Sequence, residues 1–241
     1  MFRERHSRSV AKAISWRIFG TLVTTALVFV FTQRLVLSLA VGGIEFLAKI
    51  VLFWLHERVW DRVAWGKERV APAVLWFTGL PASGKSTVAD WVAEQLVARG
   101  LPVERLDGDA VRRIFPETGY TRDERDAHLR RIGYLCGKLE AHGVFVVASF
   151  VSPYTDSRRF VRGVCRSFVE VYVSTPLAEC ERRDPKGLYA RARRGELAYF
   201  TGISDPYEAP TAPEVAIDTS VLSVASAGSQ VLRALDHRKL Q

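Results

Sequence analysis

The residues best able to do chemistry stand together in Gly79-Leu80-Pro81-Ala82-Ser83-Gly84-Lys85-Ser86, followed by Thr87. Glycine, four residues, then Gly-Lys-Ser is the spacing of a P-loop, which cradles phosphate. Gly79 and Gly84 permit a tight turn and let backbone N–H groups come up to phosphate oxygens. Lys85 is placed to reach the outer phosphates of ATP, and Ser86 to ligate Mg²⁺. A second group is Asp107-Gly108-Asp109. Either carboxylate could hold Mg²⁺ through water or accept a proton from a substrate hydroxyl. Asp109 could equally cap a helix over Ala110–Phe115. A third group is basic. Arg112, Arg113, Arg122, Arg125, Arg130 and Arg131 could be a solvated face, or could bind an anionic substrate by bidentate guanidinium contacts.

These residues need elements to position them. Ala73–Thr78 is a short apolar run of the kind expected for a buried parallel strand, and Thr87–Val97 has helical spacing. Strand, glycine loop and helix start thus come in the order that phosphate binding requires. Pro102–Leu106, Val144–Phe150, Phe168–Val173 and Val215–Asp218 read as further strands. Asp107 and Val151-Ser152-Pro153-Tyr154 follow the C-terminal ends of two of them, where open α/β sheets bind ligands. Helices are expected over about Arg122–His142, Leu177–Arg182, Ala190–Gly195 and Val224–His237. Tyr199–Ile203 reads as a flap that shields a transferring phosphoryl group from water. The expected fold is α/β, a P-loop NTPase-type doubly wound parallel sheet over 73–241.

The first seventy residues differ in kind. They hold eleven Lys/Arg and five Asp/Glu of a chain whose net charge is +8, together with two apolar runs. Basic residues beside apolar runs point to a membrane surface and away from nucleic acid. Helices over about 14–32 and 35–56 would form an α-helical transmembrane hairpin, a two-helix membrane domain spanning 1–66, with 67–72 as linker. Glu45 and Lys49 lie four apart in the second and can pair on one face. Arg3, Arg5, Arg8 and Lys12 precede the hairpin, and Arg58, Arg62, Lys67 and Arg69 follow it. Positive flanks place both termini and the catalytic unit on the cytoplasmic side of the cytoplasmic membrane. Cys136, Cys165 and Cys180 have no metal spacing and read as reduced thiols.

Seven collinear stretches resemble the adenylyl-sulfate kinase (APS kinase) family: Trp76–Thr87, Leu106–Arg112, Arg125–Gly133, Ala148–Tyr154, Phe168–Val173, Asp184–Tyr189 and Phe200–Pro210. The resemblance implies ATP-dependent phosphorylation of the 3′-hydroxyl of adenosine 5′-phosphosulfate in sulfate activation, with Mg²⁺. It implies that Gly79–Thr87 binds ATP, that Asp107 shares the metal with Ser86, and that Asp109 acts as base or positioner beside Lys85. Arg112 and Arg125 would hold the phosphosulfate, and Tyr120 and Phe150 would flank the adenine. His128, Val151, Ser152, Gly187, Leu188, Phe200 and Thr201 would complete the substrate site, with Lys186 neutralising charge. Ser152 stands where the bacterial family carries a phosphoserine intermediate; direct in-line transfer needs only positioning and charge stabilisation. The family also implies a homodimer. Departures from its pattern are His128 and Ala110 for Asn, Tyr120 for Phe, Pro81-Ala82 for Ser-Gly, and Tyr199 for Asn. Residues 8–17 and 45–49 resemble a small bacterial two-helix membrane domain, which supplies topology and no activity.

Two other readings stay open at this point. One is a different small-molecule P-loop kinase, for gluconate, shikimate or a nucleoside monophosphate. The other is a nucleotide-binding membrane regulator without turnover. A membrane tether would serve delivery of product to other sulfate-pathway enzymes.

Overall fold

Six consecutive residues, Val74–Gly79, form strand β1 of the computed structural model, and all six are buried. A run buried on both faces is the signature of a central parallel strand. The structure describes residues 71–115 and 118–237 throughout. Before them it describes 2–4, 11–12, 14–16, 18–20, 23, 30, 48–49, 51–60, 63 and 67–69. The chain divides into two units, residues 2–70 and 71–241.

In the larger unit β1 is followed by helix α1 (Lys85–Ala98). Then come β2 (Val103–Asp107), α2 (Gly108–Ile114), α3 (Arg122–Ala141), β3 (Phe145–Ser149), α4 (Thr155–Val164) and β4 (Phe168–Val173). The unit closes with α5 (Leu177–Arg183), α6 (Leu188–Arg193), β5 (Val215–Ile217) and α7 (Val224–His237). The five strands lie in the order β2-β3-β1-β4-β5, all parallel. The expected sheet is therefore present, each strand within a residue or two of its expected bounds. The expected helices start and stop close to their sequence signals. Thr121 caps α3 through a capping box with Glu124, a Thr-x-x-Glu pattern that fixes the helix start.

Alternation along the strands sorts the core. Val74 and Trp76 of β1 cluster with Val146 and Ala148 of β3, Leu129, Ile132 and Cys136 of α3, and Val161 of α4. Their neighbours Leu75 and Phe77, also fully buried, point to the other face. Helices α1 and α7 pack together so closely that a methyl group on Gly228 would come within 2.1 Å of the Trp91 ring.

One expectation needs correction, and one helix was not expected. The cap of α2 is Asp107, not Asp109: Asp107 has extended backbone and accepts from the N–H groups of Asp109 and Ala110. Helix α4 is not among the expected helices: its apolar residues are confined to Phe160, Val161 and Val164. Its buried residues are Ser157, Arg158 and Val161, and the two polar ones are held by Asp126, Glu170 and the carbonyls of Ser152 and Glu208.

In the smaller unit the strands Phe2–Glu4 and Lys67–Arg69 pair antiparallel. Residues 51–60 are helical. Lys12 pairs with Glu57 at 3.4 Å, Ser15 meets His56 at 2.9 Å, and Trp16 meets Phe53 edge to face. Rising numbers on one segment meet falling numbers on the other, as two antiparallel helices require. Most of the expected spans 14–32 and 35–56, including Glu45, lies outside the described residues. Among the described residues no helix is long and apolar enough to cross a membrane.

Candidate active site

The turn between β1 and α1 is built by steric necessity. A side chain on Gly79 would meet the Val173 carbonyl at 2.5 Å, and Gly84 starts α1 in the left-handed region at φ 89°. Among the described residues, three that are not glycine take left-handed backbone, with φ between 38° and 58°: Ala82, Ser152 and Tyr199. All three line a single cleft of about 780 Å³ at the C-terminal ends of β1, β2 and β3. Strained backbone gathered at one cleft is the distribution expected of a functional site.

The cleft contains most of the residues singled out in the sequence. Pro81, Ala82, Gly84, Lys85, Ser86 and Thr87 line one part. Asp107, Asp109, Arg112, Tyr120, Arg125, His128, Phe150, Val151, Ser152, Lys186, Leu188, Phe200 and Thr201 line the rest. Gly79, Leu80, Ser83 and Gly187 do not line it. Gly79 makes the turn, and Gly187 is the left-handed residue that starts α6. Leu80 gives its carbonyl to Lys85, and Ser83 is buried.

Lys85 is buried, its Nζ donating to the Leu80 carbonyl at 2.6 Å. Burial pushes its pKa down to about 8, and the nearby Cys180, Asp107 and Asp109 only partly offset this. A cation so starved of water gains from an incoming polyanion. Asp107 sits where β2 ends. Its Oδ2 accepts from Ser86 Oγ at 2.7 Å and from Ser149 Oγ at 2.9 Å. Burial works against its charge, but the two hydroxyls, the Asp109 N–H and Arg105 outweigh it and hold the carboxyl below the usual range. Ser86 and Asp107 together form an all-oxygen pair that would suit a hard cation such as Mg²⁺.

Asp109 is mostly exposed and pairs with Lys186, which joins the first turn of α2 to the segment before α6. Arg112 donates to the carbonyls of Thr118 and Gly119 and lies 4.4 Å from the Tyr120 ring centroid. Arg125 is buried. It donates to Tyr120 O at 2.7 Å, to Thr201 Oγ1 at 2.5 Å and to Tyr199 O, with Asp205 at 3.8 Å. The segment expected to be a flap is thus fastened to α3 by one guanidinium. Phe150 stacks on Trp76 at 5.1 Å, while Tyr120 is exposed beneath Arg112.

Ser152 is 2% exposed. Its hydroxyl donates to Thr78 Oγ1 at 2.8 Å and accepts from Trp76 Nε1 at 3.1 Å, so it holds the loop after β3 in place. His128 lies edge-on between Phe115 and Phe150, its Nε2 buried without a hydrogen-bond partner. Burial, then Arg112 and Arg131, lowers its pKa to about 4, so it is neutral near pH 7. A titration of His128 in the neutral range is therefore not expected.

Sequence reasoning missed several residues that shape the cleft. Arg105 donates to Ser149 Oγ at 2.8 Å and to Asp90 at 2.7 Å, bracing the Asp107 group from behind. Its place inside a strand carried no signal. Arg183, Asp184 and Tyr189 line the cleft as well. Asp184 caps the start of α6 by accepting from Tyr189 N and Ala190 N, and the Tyr189 hydroxyl donates to the Pro81 carbonyl.

Comparison with known proteins bears on this geometry. Residues 71–218 match the family model for adenylylsulphate kinase. Residues 10–61 match one described as a predicted membrane protein of unknown function. An adenylyl-sulfate kinase of Gloeothece citriformis is 47% identical over 163 residues, 67% of this chain and 93% of that protein. One of Marinobacter nauticus is 40% identical over 192 residues, 78% of this chain and 96% of that protein. Among solved structures, the Mycobacterium tuberculosis APS kinase in complex with AMPPNP and APS superposes with a TM-score of 0.67 at 37% identity, covering 70% of this chain and 99% of that one. The match takes in the phosphate loop, both carboxylates and the Arg125 helix, and with them this chain belongs to the adenylylsulphate kinase family.

Proposed function

We propose that this chain transfers the γ-phosphoryl group of ATP to the 3′-hydroxyl of adenosine 5′-phosphosulfate, yielding 3′-phosphoadenosine 5′-phosphosulfate. The observation that supports the reading is the single cleft that brings the phosphate loop together with the residues expected to bind the substrate. Bound ATP with Mg²⁺ supplies the phosphoryl group. Lys85 and the amides of residues 79–87 hold its phosphates. Ser86 and Asp107 would hold the Mg²⁺, which would neutralise charge on the phosphates. Asp109 orients the attacking hydroxyl and takes its proton. Arg112 and Lys186 face the anionic substrate, and Arg125 keeps the 199–205 segment over the cleft, where it excludes water. Ser152 acts through hydrogen bonding and not as a phosphoryl carrier, because its hydroxyl is buried and already engaged on both sides.

The N-terminal unit is proposed as a two-pass hairpin in the cytoplasmic membrane, with the kinase unit on the cytoplasmic side. The match to a predicted membrane protein and the antiparallel contacts of residues 12–16 with 53–57 support it. Its proposed use is to release product near membrane enzymes of sulfate metabolism.

The test is ADP release by the full chain with ATP and Mg²⁺, with and without adenosine 5′-phosphosulfate. Substrate-dependent release that Asp109→Ala reduces at least about 100-fold is expected, the usual scale for a general base. Release that ignores the substrate, or survives Asp109→Ala, overturns the reading. Extraction of the full chain from membranes by alkaline carbonate, without detergent, would refute the hairpin.

A further inference from the structure

The phosphate loop has a second layer that neither its motif nor the cleft lining reveals. Ser83 does not line the cleft, and its carbonyl lies within hydrogen-bond distance of two hydroxyls, Thr219 Oγ1 at 2.8 Å and Thr175 Oγ1 at 3.1 Å. The two hydroxyl oxygens also lie 2.9 Å apart, where either can donate to the other, so the pair holds the carbonyl as one coupled unit. Thr175 Oγ1 then accepts from Thr219 N–H at 3.2 Å, and Thr219 Oγ1 accepts from Arg183 Nη1 at 2.8 Å. Arg183 also donates to the Thr219 carbonyl at 2.8 Å and is itself held by Glu179 at 2.8 Å. Thr175 is 2% exposed, and Thr219 packs against Gly84 so tightly that a Cβ there would lie 3.0 Å from its hydroxyl. The two threonines come from the ends of different strands, Thr175 after β4 and Thr219 after β5.

The consequence follows from peptide geometry. The described peptide bonds contain no cis bond, and in a trans peptide C=O and N–H point in opposite directions. Pinning the Ser83 carbonyl therefore aims the Gly84 N–H the other way, toward the cleft that Gly84 lines. We propose that Thr219 and Thr175 are positioning residues for nucleotide phosphate, and that Arg183, which lines the cleft, ties their geometry to it. They touch no substrate. They fix the direction of an amide that does. The proposal rests on the reading of the loop as an ATP site.

The experiment measures ATP, ADP and adenosine binding by calorimetry, and steady-state turnover, for the full chain and for Thr219→Val, Thr175→Val, the double valine variant and Thr219→Ser. Valine keeps the volume and removes the hydroxyl. One lost neutral hydrogen bond corresponds to a factor of roughly 3 to 10 in ATP affinity for each single variant. The double variant should lose at least as much as either single variant, because both donors to the carbonyl are then gone. Thr219→Ser should restore binding. Adenosine affinity, and KM for the acceptor at saturating ATP, should stay within about twofold, a split that general loosening of the fold would not produce.

Equal loss for adenosine and ATP, failure of Thr219→Ser to restore binding, or a double variant within about twofold of the parent overturns the proposal. If the double variant does not fold, as judged by its melting curve, the single variants and Thr219→Ser decide alone. A parent chain that binds ATP but does not phosphorylate the acceptor leaves this inference standing and sinks the functional reading instead. A parent chain that binds no ATP sinks both.

Discussion

Lys85 makes the phosphate loop a pH-dependent ATP site, with a sign that can be worked out in advance. In the free protein burial lowers its pKa to about 8. ATP places several negative charges against the ammonium group, which returns the pKa toward its ordinary value of about 10.4. Between those values binding takes up a proton, so affinity falls as pH rises. With a free-state pKa of about 8 and a bound-state pKa near 10.4, the dissociation constant should rise about tenfold from pH 7 to pH 9, and about sevenfold more by pH 10. Stability of the free protein moves the other way. A lysine whose folded pKa is lowered costs stability while it is protonated, below about pH 8, and that cost fades as pH rises toward the unfolded value. The assay is calorimetric titration with MgATP at saturating Mg²⁺ from pH 7.5 to 10, for the parent and for Lys85→Arg. Arginine stays charged throughout, so its absolute affinity falls but its pH slope should be nearly flat, which also cancels titration of every other group. A parent slope as flat as that of Lys85→Arg would refute the argument.

Other substitutions test neighbouring parts of the structure. Arg125→Ala leaves Tyr120 O, Tyr199 O and Thr201 Oγ1 without their donor and Asp205 without its cation. A loss of about 3 kcal/mol, read as a fall in Tm of roughly 10 °C, is expected, with faster amide exchange confined first to residues 199–205. An unchanged exchange pattern there would show that the guanidinium does not fasten the segment. Asp107→Asn should raise the Mg²⁺ concentration needed for half-maximal turnover about tenfold or more, measured by metal titration at fixed ATP. Gly228→Ala drives a methyl into the Trp91 ring. It should destabilise by about 1 to 2 kcal/mol, the overpacking cost less the helix gain, while leaving KM for ATP unchanged.

The sequence alone determined the parallel sheet, because buried parallel strands are written as continuous apolar runs and β1 and β3 are largely such runs, while β4 is rich in β-branched and aromatic residues. It determined the phosphate loop for a similar reason: the chemistry depends on local backbone geometry, and Gly79, Gly84, Lys85 and Ser86 are neighbours in the chain. Helix α4 was not legible, since two of its three buried residues, Ser157 and Arg158, are polar and are held by polar groups outside the helix. The roles of Asp107 and Ser152 were ambiguous for the same reason. A carboxylate or hydroxyl is defined by what donates to it. Only the fold brought Ser86 and Ser149 to Asp107, and Trp76 and Thr78 to Ser152. Tertiary structure alone decided that Arg125 fastens the 199–205 segment and that Thr175 and Thr219 hold the Ser83 carbonyl. Those contacts join residues 76, 92 and 136 positions apart, and no periodicity or local spacing can encode a hydrogen bond whose two ends meet only after the sheet has assembled.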